Sequence, residues 1–399
     1  MFKVKVANND SAARAGVLTT GHGKLATPFF MPDATRGFLR LTGVADLSML
    51  GLGAMVVNTY HLSLQPGTDV IRRAGGIHRF MSWPGPLLAD SGGFQVYSLI
   101  RQARNKKPLG RMTDRAAIFK SPVDGREITL TPEKSVAAQF ALGVDMMVCL
   151  DDCPPNDAPR AEIELAVTRT LAWAARSKKE FDRQLARIAK KGGNTSRPLL
   201  FSVIQGGEHT DLRKQCADGL IKIGFDGYGF GARPVDKDGK FLGRVLEETA
   251  DLIPRSALRF ALGVGLPEDI IRCVRLGWDM FDCVIPTREG RHGRLFLWNR
   301  NTKSEARNPK QFPKSKIQNP KFYNTINITN AKFKTDKTPI NSDSRLPELR
   351  LYSRGYLNYL FKIGEPLGAR LASLNNLEFY LELMEKIRAD FGRSGKSRI

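Results

Sequence analysis

Aspartate residues follow or interrupt several apolar runs of this chain. Asp282 lies inside the run MFDCVIPTR, Asp90 ends LLAD, and Asp151 follows MMVCL. A carboxylate among apolar neighbours is costly unless it is paired or functional. Three convergent carboxylates suit displacement at an anomeric carbon, because one can attack, another can carry protons, and negative charge stabilises an oxocarbenium-like transition state. A structural salt bridge is the alternative explanation for the buried acid.

A second set of residues matches the hydrogen-bonding edge of a purine. Asp151 could accept the amide and amino hydrogens of guanine while Gln205 donates to its oxygen. The segment from Ser91 to Phe94, SGGF, and the two glycines after Gln205 would let the backbone approach a planar ligand closely. Glycines that only form tight turns are the alternative. Cys153 could line the same pocket, although an inert buried thiol is equally consistent with its position.

The elements that must position these residues are eight short apolar runs, most of them separated by helical patterns. Strands buried on both faces and alternating with helices predict parallel pairing. We therefore predict an α/β fold, a (β/α)8 TIM barrel whose active site lies at the carboxyl ends of the strands. An open doubly wound sheet is the alternative. The runs begin at Pro28, Ala54, Leu87, Met146, Leu199, Phe225, Phe260 and Met280.

The predicted domain organisation is one barrel with additions. Residues 1–298 form the catalytic barrel, with a rim insertion near 100–130, and residues 299–399 form a basic insertion and a C-terminal helical subdomain packed on the barrel. Residues 300–337 contain ten Lys and Arg against two acids. Such a run is either a solvated loop or a surface that holds RNA backbone.

Composition points to a nucleic-acid partner. The formal net charge is +22 and the sequence pI is about 10.0, which suits an enzyme that docks on phosphates. A merely basic surface is the alternative. The five cysteines form no disulfide framework. Since no apolar stretch reaches the roughly 18 residues of a membrane span and no signal peptide is evident, we expect a cytoplasmic protein without membrane contact.

The chain resembles bacterial tRNA-guanine transglycosylases, the queuine tRNA-ribosyltransferase family, from about Thr27 to Phe391. The shared motifs are NTYHLSLQPG, LADSGGFQVYSL, LTPEKS, VIQGG, GFDGY, GVGLPEDI and DMFDCVIPTR, in the family's order. The resemblance implies exchange of the wobble guanine of tRNA for a 7-deazaguanine base, 7-aminomethyl-7-deazaguanine or a related one, towards queuosine. It also implies a pentosyltransferase that needs no cofactor and forms a homodimer.

Site residues follow from the resemblance by matching position. Asp282 matches the nucleophile that attacks the ribose and holds the tRNA covalently, and Asp90 matches the acid that handles protons. Arg288 and Arg291 match residues that contact the nucleotides around the exchanged base. The residues matching the base-binding positions are Ser91, Phe94, Asp151, Cys153, Gln205, Gly231, Ala232 and Leu262.

The chain departs from the family at the structural zinc site. Family members carry a CxCxxC motif followed by a histidine, and the matching positions here are Ser344, Leu346, Leu349 and Asn375. None of these is an ordinary zinc ligand. We therefore expect a C-terminal subdomain without zinc, in which Leu346 and Leu349 fill the former metal site.

A second departure concerns the loop that contacts the substituent of the incoming base. The family's Gly-Gly-Leu segment and following acid match Gly231, Ala232, Arg233 and, for the acid, Lys237. Arg233 and Lys237 disfavour a cationic aminomethyl group unless Asp236 or Asp238 turns inward. The incoming base could therefore be neutral or differently substituted.

Two other functions are consistent with parts of the sequence. A non-catalytic tRNA-binding partner subunit would keep the basic charge but would not need convergent acids. A barrel glycoside hydrolase would use the acids but not the purine-reading amides or the basic charge.

Overall fold

The computed structural model describes residues 1–7, 11–101, 110–192, 196–299 and 322–394. The chain divides into two compact units. The barrel unit comprises residues 1–38 and 53–282, and the C-terminal unit comprises residues 39–52 and 283–399. The predicted domain boundary after residue 298 stays a prediction, because a compact unit is not by itself an independently folding domain.

Eight strands form the parallel sheet of the barrel unit, in the order β4-β14-β13-β12-β11-β10-β6-β5. A parallel bridge between Asp33, next to β4, and Val56 of β5 brings the two ends of this order together. The predicted (β/α)8 barrel is therefore confirmed, and all eight apolar runs contribute a strand. The strands are β4 (Phe29–Pro32), β5 (Met55–Asn58), β6 (Leu87–Asp90), β10 (Met146–Val148), β11 (Leu199–Ile204), β12 (Gly227–Phe230), β13 (Leu258–Ala261) and β14 (Met280–Cys283).

The core of the barrel consists of apolar side chains from these strands. Phe201, Phe260 and Met280 are at most 1% exposed and belong to one cluster with residues of the other strands. Because both faces of each strand are covered, the strands read as continuous apolar runs rather than as alternating patterns. Burial of both faces thus explains why each barrel strand can be recognised in the sequence as an apolar run.

The helices of the barrel unit begin and end at recognisable residues. Thr131 caps α6, its hydroxyl accepting from the Lys134 amide, and Gly143 ends it in the left-handed region. The helices are α2 (Thr59–Leu64), α3 (Thr68–Arg73), α4 (Ile77–Met81), α5 (Gly93–Arg101), α6 (Pro132–Leu142), α7 (Arg160–Lys190), α8 (Thr210–Ile223), α9 (Gly243–Leu252) and α10 (Pro267–Arg275). In the part of the chain that the structure describes, no helix is long and apolar enough to cross a membrane.

Two small antiparallel sheets complete the barrel unit. Strands β1 (Phe2–Ala7), β2 (Arg14–Thr20) and β3 (Gly23–Thr27) form a sheet that precedes the first barrel strand in the chain. Strands β7 (Gly110–Met112), β8 (Ala117–Lys120) and β9 (Glu127–Leu130) lie in the predicted insertion.

The C-terminal unit combines short helices, a hairpin and one long helix. Its core contains Phe296, Phe379 and Tyr380, whose rings lie 5.6–5.9 Å apart. Residues 300–321 of the predicted basic insertion lie outside the described residues. The elements are α1 (Val44–Met49), α11 (Ile285–Arg291), β15 (Arg294–Trp298), β16 (Tyr323–Asn327), a 3-10 turn (Ala331–Phe333), α12 (Pro347–Leu351), α13 (Arg354–Ile363) and α14 (Pro366–Ser394).

Candidate active site

The predicted catalytic and base-reading residues lie at the carboxyl ends of neighbouring barrel strands. Asp90 is the last residue of β6, Asp151 follows β10, Gln205 follows β11, and Asp282 lies in the last half of β14. Because all these strands are parallel, their carboxyl ends face the same side of the barrel. The structure therefore brings the four residues to one mouth.

Asp282 is held at the mouth by the loop after β13. The Gly263 amide donates to Asp282 Oδ1 at 2.9 Å. Burial raises the pKa of this carboxyl to about 7, the Gly263 hydrogen bond acts in the opposite direction, and the charge of Asp33 raises it further. A carboxylate with a pKa near neutrality is partly ionised under physiological conditions and is a competent nucleophile when charged.

Asp90 is fixed by groups from β5 and from its own turn. Asn58 Nδ2 donates to Asp90 Oδ2 at 2.6 Å, while the Thr59 and Gly92 amides donate to Oδ1 at 3.3 and 3.1 Å. Burial raises the pKa to about 8, and the charges of Asp33 and Asp282 add to this effect. These effects favour the protonated form of Asp90.

Asp33 is a fourth acid of this mouth, and it is not among the site residues predicted from the sequence. It follows β4, which lies beside the strand of Asp282 in the sheet, and it bridges to Val56 of the strand that carries Asn58. Thr35 Oγ1 donates to Asp33 Oδ1 at 2.9 Å, and burial raises the pKa of Asp33. The run PFFMPDA contains this acid, so its place at a strand end was the signal that could have identified it.

Asp151 and Gln205 form the predicted pair. Gln205 Nε2 donates to Asp151 Oδ2 at 2.7 Å, and the side chain of Gln205 is buried. Burial raises the pKa of Asp151 to about 7, against the effect of this hydrogen bond. Donors on a ligand would favour the ionised form of Asp151, as hydrogen bonds to a carboxylate do in general.

Buried Arg213 holds the backbone around the base-reading pair. Its guanidinium donates to the carbonyls of Gly207 at 2.7 Å and Gly231 at 2.9 Å, and it lies 4.2 Å from the ring centre of Phe230. These contacts join the loop after β11 to the loop after β12. Gly231 is also in close contact with Gln205, since a Cβ at residue 231 would lie 2.6 Å from the Gln205 amide carbon and nitrogen.

The glycines of SGGF and of the Gln205 loop are required by packing inside the protein. Gly92 has φ +79°, and a Cβ there would lie 2.7 Å from Tyr60 Cβ. Gly206 has φ +143°, and its Cβ would lie 2.6 Å from the Arg213 amide. The backbone conformation and the close contacts require glycine at both positions. The tight-turn interpretation therefore explains both glycines without any contact with a ligand.

The other predicted base-binding residues differ in exposure. Ser91 is buried, with its hydroxyl accepting from the Gly93 amide at 3.2 Å, and burial raises the pKa of the Cys153 thiol to about 12. Leu262 packs on the barrel core, whereas Phe94 is 55% exposed. Phe94 thus offers an open aromatic face, and the raised pKa of Cys153 keeps its thiol protonated and poorly nucleophilic at neutral pH.

The loop after β12 is tied down by Asn156. Its amide nitrogen donates to the Arg233 and Val235 carbonyls at 2.8 and 3.0 Å, and its oxygen accepts from the Arg233 amide at 3.2 Å. Ala232 has φ +123°, a conformation that costs energy for a residue with a Cβ. Asp236 Oδ1 accepts from the Asp238 and Lys240 amides of its own turn, so this carboxylate is engaged within the loop.

The predicted RNA-binding arginines belong to the C-terminal unit. Arg288 and Arg291 lie on α11, and Arg288 Nε is 3.3 Å from Glu289 Oε1. Burial and then the positive charges of Arg40 and Arg288 lower the pKa of Arg291. Arg40 and Arg288 are therefore both close enough to repel Arg291, a repulsion that an anionic phosphate would relieve.

The positions matching the family's zinc ligands also lie in the C-terminal unit. Ser344 Oγ donates to the Glu378 carboxylate, and Asn375 Nδ2 donates to the Phe296 carbonyl at 3.0 Å. Leu346 and Leu349 are 2% and 0% exposed. A hydroxyl, an amide and two aliphatic side chains do not fit a zinc ion, which takes thiolate, imidazole or carboxylate ligands.

Comparison with known proteins assigns the chain to a family. The family profile described as Queuine tRNA-ribosyltransferase matches residues 9–394. A protein named Queuine tRNA-ribosyltransferase from Thioalkalivibrio sulfidiphilus is 39% identical over 387 residues, covering 97% of this chain and 93% of the relative. Its namesakes from Psychrobacter sp. (strain PRwf-1) and Nitrosospira multiformis are each 38% identical over 387 residues. They cover 96% and 97% of this chain and 91% and 94% of those relatives.

These matches span nearly the whole chain and include every strand end that carries a candidate site residue. The family resemblance drawn from the sequence motifs is therefore confirmed. The chain belongs to the queuine tRNA-ribosyltransferase family.

Proposed function

We propose that the protein is a pentosyltransferase that exchanges a guanine of tRNA for a 7-deazaguanine base through a covalent link between the ribose and Asp282. The relatives named above carry the name Queuine tRNA-ribosyltransferase, which supports the reaction class. The observation that carries the proposal is the placement of Asp282 on the same strand-end mouth as Asp90 and the Asp151–Gln205 pair. These groups together can attack the sugar, carry a proton and read a purine.

The first half of the reaction uses Asp282 and Asp90. The Asp282 carboxylate attacks C1′ of the ribose while the bond from C1′ to N9 of guanine breaks, which leaves the sugar esterified to Asp282. Asp90 donates its proton to the departing guanine. Burial raises the pKa of Asp90 to about 8, which favours the protonated form that this step needs.

The second half returns both residues to their starting states. The incoming base gives its N9 proton to Asp90, and its N9 attacks C1′ and displaces the Asp282 carboxylate. Two successive inversions give net retention at C1′. The reaction needs no cofactor, because one glycosidic bond is formed for each one broken.

Asp151 and Gln205 account for base recognition. Ionised Asp151 accepts from the N1 and amino hydrogens of guanine, while Gln205 Nε2 leaves Asp151 and donates to the guanine oxygen. The bond between the two side chains keeps both groups satisfied until the base arrives. Ser91, Phe94, Cys153, Gly231, Ala232 and Leu262 would line the pocket.

The loop after β12 would contact the 7-substituent of the incoming base. Arg233 is exposed, and Asp236 Oδ1 accepts hydrogen bonds from the Asp238 and Lys240 amides of its own turn. The positive charges of Arg233 and Lys237 oppose a cationic aminomethyl group, whereas the carboxylates of Asp236 and Asp238 favour one, so the proposed incoming base is 7-aminomethyl-7-deazaguanine or a related base.

Transfer RNA is the macromolecular partner in this proposal, and the cytoplasm is where the protein would act. The net charge of +22 and the group formed by Arg40, Arg288 and Arg291 both suit phosphate contacts. The C-terminal unit would carry no zinc at Ser344, Leu346, Leu349 and Asn375. Buried leucines and the hydrogen bond from Ser344 to Glu378 would stabilise it instead.

A homodimer is also part of the proposal. Helices α12 and α13 carry exposed apolar and aromatic side chains, including Leu351 at 78%, Tyr359 at 54% and Ile363 at 57% exposure. Tyr356 stacks beside Tyr359, with ring centres 6.5 Å apart. An exposed patch of this kind is typical of a protein interface, and a second copy of the chain is the occupant that we propose.

One experiment separates this function from that of a non-catalytic tRNA-binding subunit. Protein is incubated with tRNA and labelled guanine, and incorporation is followed together with a covalent protein–tRNA band on a denaturing gel. We expect both signals for the wild type and for Asp218→Asn, which removes an exposed acid paired with Lys214, and neither for Asp282→Asn. Intact tRNA binding without exchange by the wild type would favour the binding subunit.

A further inference from the structure

We propose that His22, His78 and Asp145 form a binding site for a divalent transition metal of the zinc class at the N-terminal face of the barrel. Asp145 directly precedes β10 and accepts from the Leu87 amide at the start of β6 at 3.0 Å. The cluster therefore lies at the opposite ends of the strands from Asp90, Asp151 and Asp282. It is independent of the proposed reaction.

The candidate ligand atoms of His22, His78 and Asp145 already lie close to one another. His22 Nδ1 lies 2.9 Å from Asp145 Oδ1, and His78 Nε2 lies 3.3 Å from Asp145 Oδ2. All three possible ligand atoms are within 4.8 Å of one another. Two ligands of one tetrahedral zinc ion are about 3.3 Å apart, given bond lengths of about 2.0–2.1 Å. The separations of 2.9 and 3.3 Å between the histidine nitrogens and the Asp145 oxygens are close to this value.

His78 provides a second, independent indication. Its side chain is 9% exposed, and its Nε2 is a buried polar atom without a hydrogen-bond partner of acceptable geometry in the described part of the chain. The other ring nitrogen, Nδ1, lies 3.3 Å from the Trp83 carbonyl. Donation from Nδ1–H to a backbone carbonyl is the arrangement that fixes a metal-binding histidine and leaves the Nε2 lone pair free.

In that tautomer two hydrogen-bond acceptors, His78 Nε2 and Asp145 Oδ2, lie 3.3 Å apart. Both oxygens of Asp145 accept backbone hydrogen bonds, from the amides of His22 at 3.1 Å and of Leu87 at 3.0 Å, as expected of a carboxylate. The Nε2 lone pair of His78 is then buried 3.3 Å from a negatively charged oxygen of Asp145. A cation between the two atoms would relieve this repulsion.

His22 would complete the site by a movement that its surroundings allow. Its ring stacks on that of His78, with centres 3.5 Å apart and planes at 12°. A metal lies near the plane of each imidazole that it binds, so the stack must open. His22 lies between Gly21 and Gly23 and its side chain is 40% exposed, so this ring can turn while His78 and Asp145 stay in place.

A bound ion would join three distant parts of the barrel unit. These are the turn between β2 and β3, helix α4, and the start of β10. Two imidazoles and one carboxylate are ligands that zinc, cobalt and nickel accept. Closing such long loops through a metal constrains the unfolded chain, so we expect a stabilising rather than a catalytic role.

The test is metal binding by the full-length protein after treatment with a chelator. We expect the wild type to bind one Zn²⁺ per chain in equilibrium dialysis, and Co²⁺ in its place to give the visible absorption of a four-coordinate N/O site. His22→Ala, a change in an exposed turn, should raise Kd for Zn²⁺ at least tenfold and abolish the Co²⁺ spectrum. His209→Ala, which removes a histidine elsewhere in the barrel unit, should behave as the wild type.

The same measurements contain the results that would overturn the proposal. Absence of stoichiometric Zn²⁺ binding by the wild type would show that the cluster does not bind this metal. Equal affinity of the wild type and His22→Ala would place any bound metal elsewhere. Ser344→Ala with Asn375→Leu tests the C-terminal unit, and loss of metal in that variant alone would contradict both this site and the proposed zinc-free unit.

Discussion

Gln205 Nε2 donates to Asp151 Oδ2 across the 54 residues that separate them in the chain, at 2.7 Å. The two side chains follow adjacent strands, β10 and β11, whose register pairs Met146 with Leu199. Gln205 and Asp151 thus bind each other with the same donor and acceptor atoms that each would offer to a purine.

Replacing Asp151 with Asn should weaken binding of guanine. The change removes a charged acceptor of two base hydrogens and presents an amide donor to the base edge. A hydrogen bond to a charged group contributes about 1.5–3 kcal/mol, so KM for guanine should rise roughly tenfold to a hundredfold. Exchange kinetics at varied guanine concentration measure this, and an unchanged KM would remove Asp151 from the base-reading pair.

The pH dependence of exchange should report Asp282 and Asp90. Asp282 acts as a carboxylate, so kcat/KM should rise as pH increases through its pKa of about 7. Asp90 acts as an acid, so the rate should fall as pH increases through about 8. Asp33→Asn removes a negative charge that raises both pKa values, and the whole profile should move to lower pH. A profile that keeps its position would show that Asp33 does not act on the pair.

Gly231→Ala should displace Gln205 while the barrel stays folded. The added Cβ would lie 2.6 Å from the Gln205 amide nitrogen and 2.7 Å from the Ile204 carbonyl oxygen, so the side chain must move. We expect weaker guanine binding with little change in tRNA affinity. Gly243→Ala, at the start of α9 where a Cβ meets only the Phe241 ring at 3.3 Å or more, is the matched control. Equal losses in both variants would indicate a general packing effect.

Affinity for tRNA should fall steeply with salt. If about six phosphates are neutralised, the logarithmic slope should be about four to five. Arg291→Ala should lower this slope by about one and weaken all substrate tRNAs alike. Arg244→Ala removes one positive charge at an exposed position paired with Glu248 and should leave the slope near its wild-type value. A flat salt response would contradict docking through phosphates.

The oligomeric state tests the exposed patch of α12 and α13. Tyr359→Glu places a charge on this patch, and light scattering should then show a monomer where the wild type shows a dimer. Lys222→Glu changes the charge of an exposed residue of α8, outside this patch, and should remain dimeric. A wild type that is monomeric at all concentrations would rule out the proposed interface.

Much of the fold could be predicted because its main signal is local. Each barrel strand is buried on both faces, so eight continuous apolar runs appear in the sequence, and capping residues such as Thr131 and Gly143 mark helix ends. The same logic identified Asp90, Asp151 and Asp282, because an acid that ends or interrupts a buried run must lie at a strand end in a parallel sheet.

The sequence by itself therefore determined the barrel, its polar mouth and the family. Only the tertiary structure decided which groups contact or influence the acids at the mouth of the barrel. Asn58 donates a hydrogen bond to Asp90, and the charge of Asp33 raises the pKa of Asp282. It also decided that His22, His78 and Asp145 meet at the other end of the strands. These relationships join residues far apart in the chain, and their electrostatic effects depend on burial and distance, which no local pattern of residues encodes.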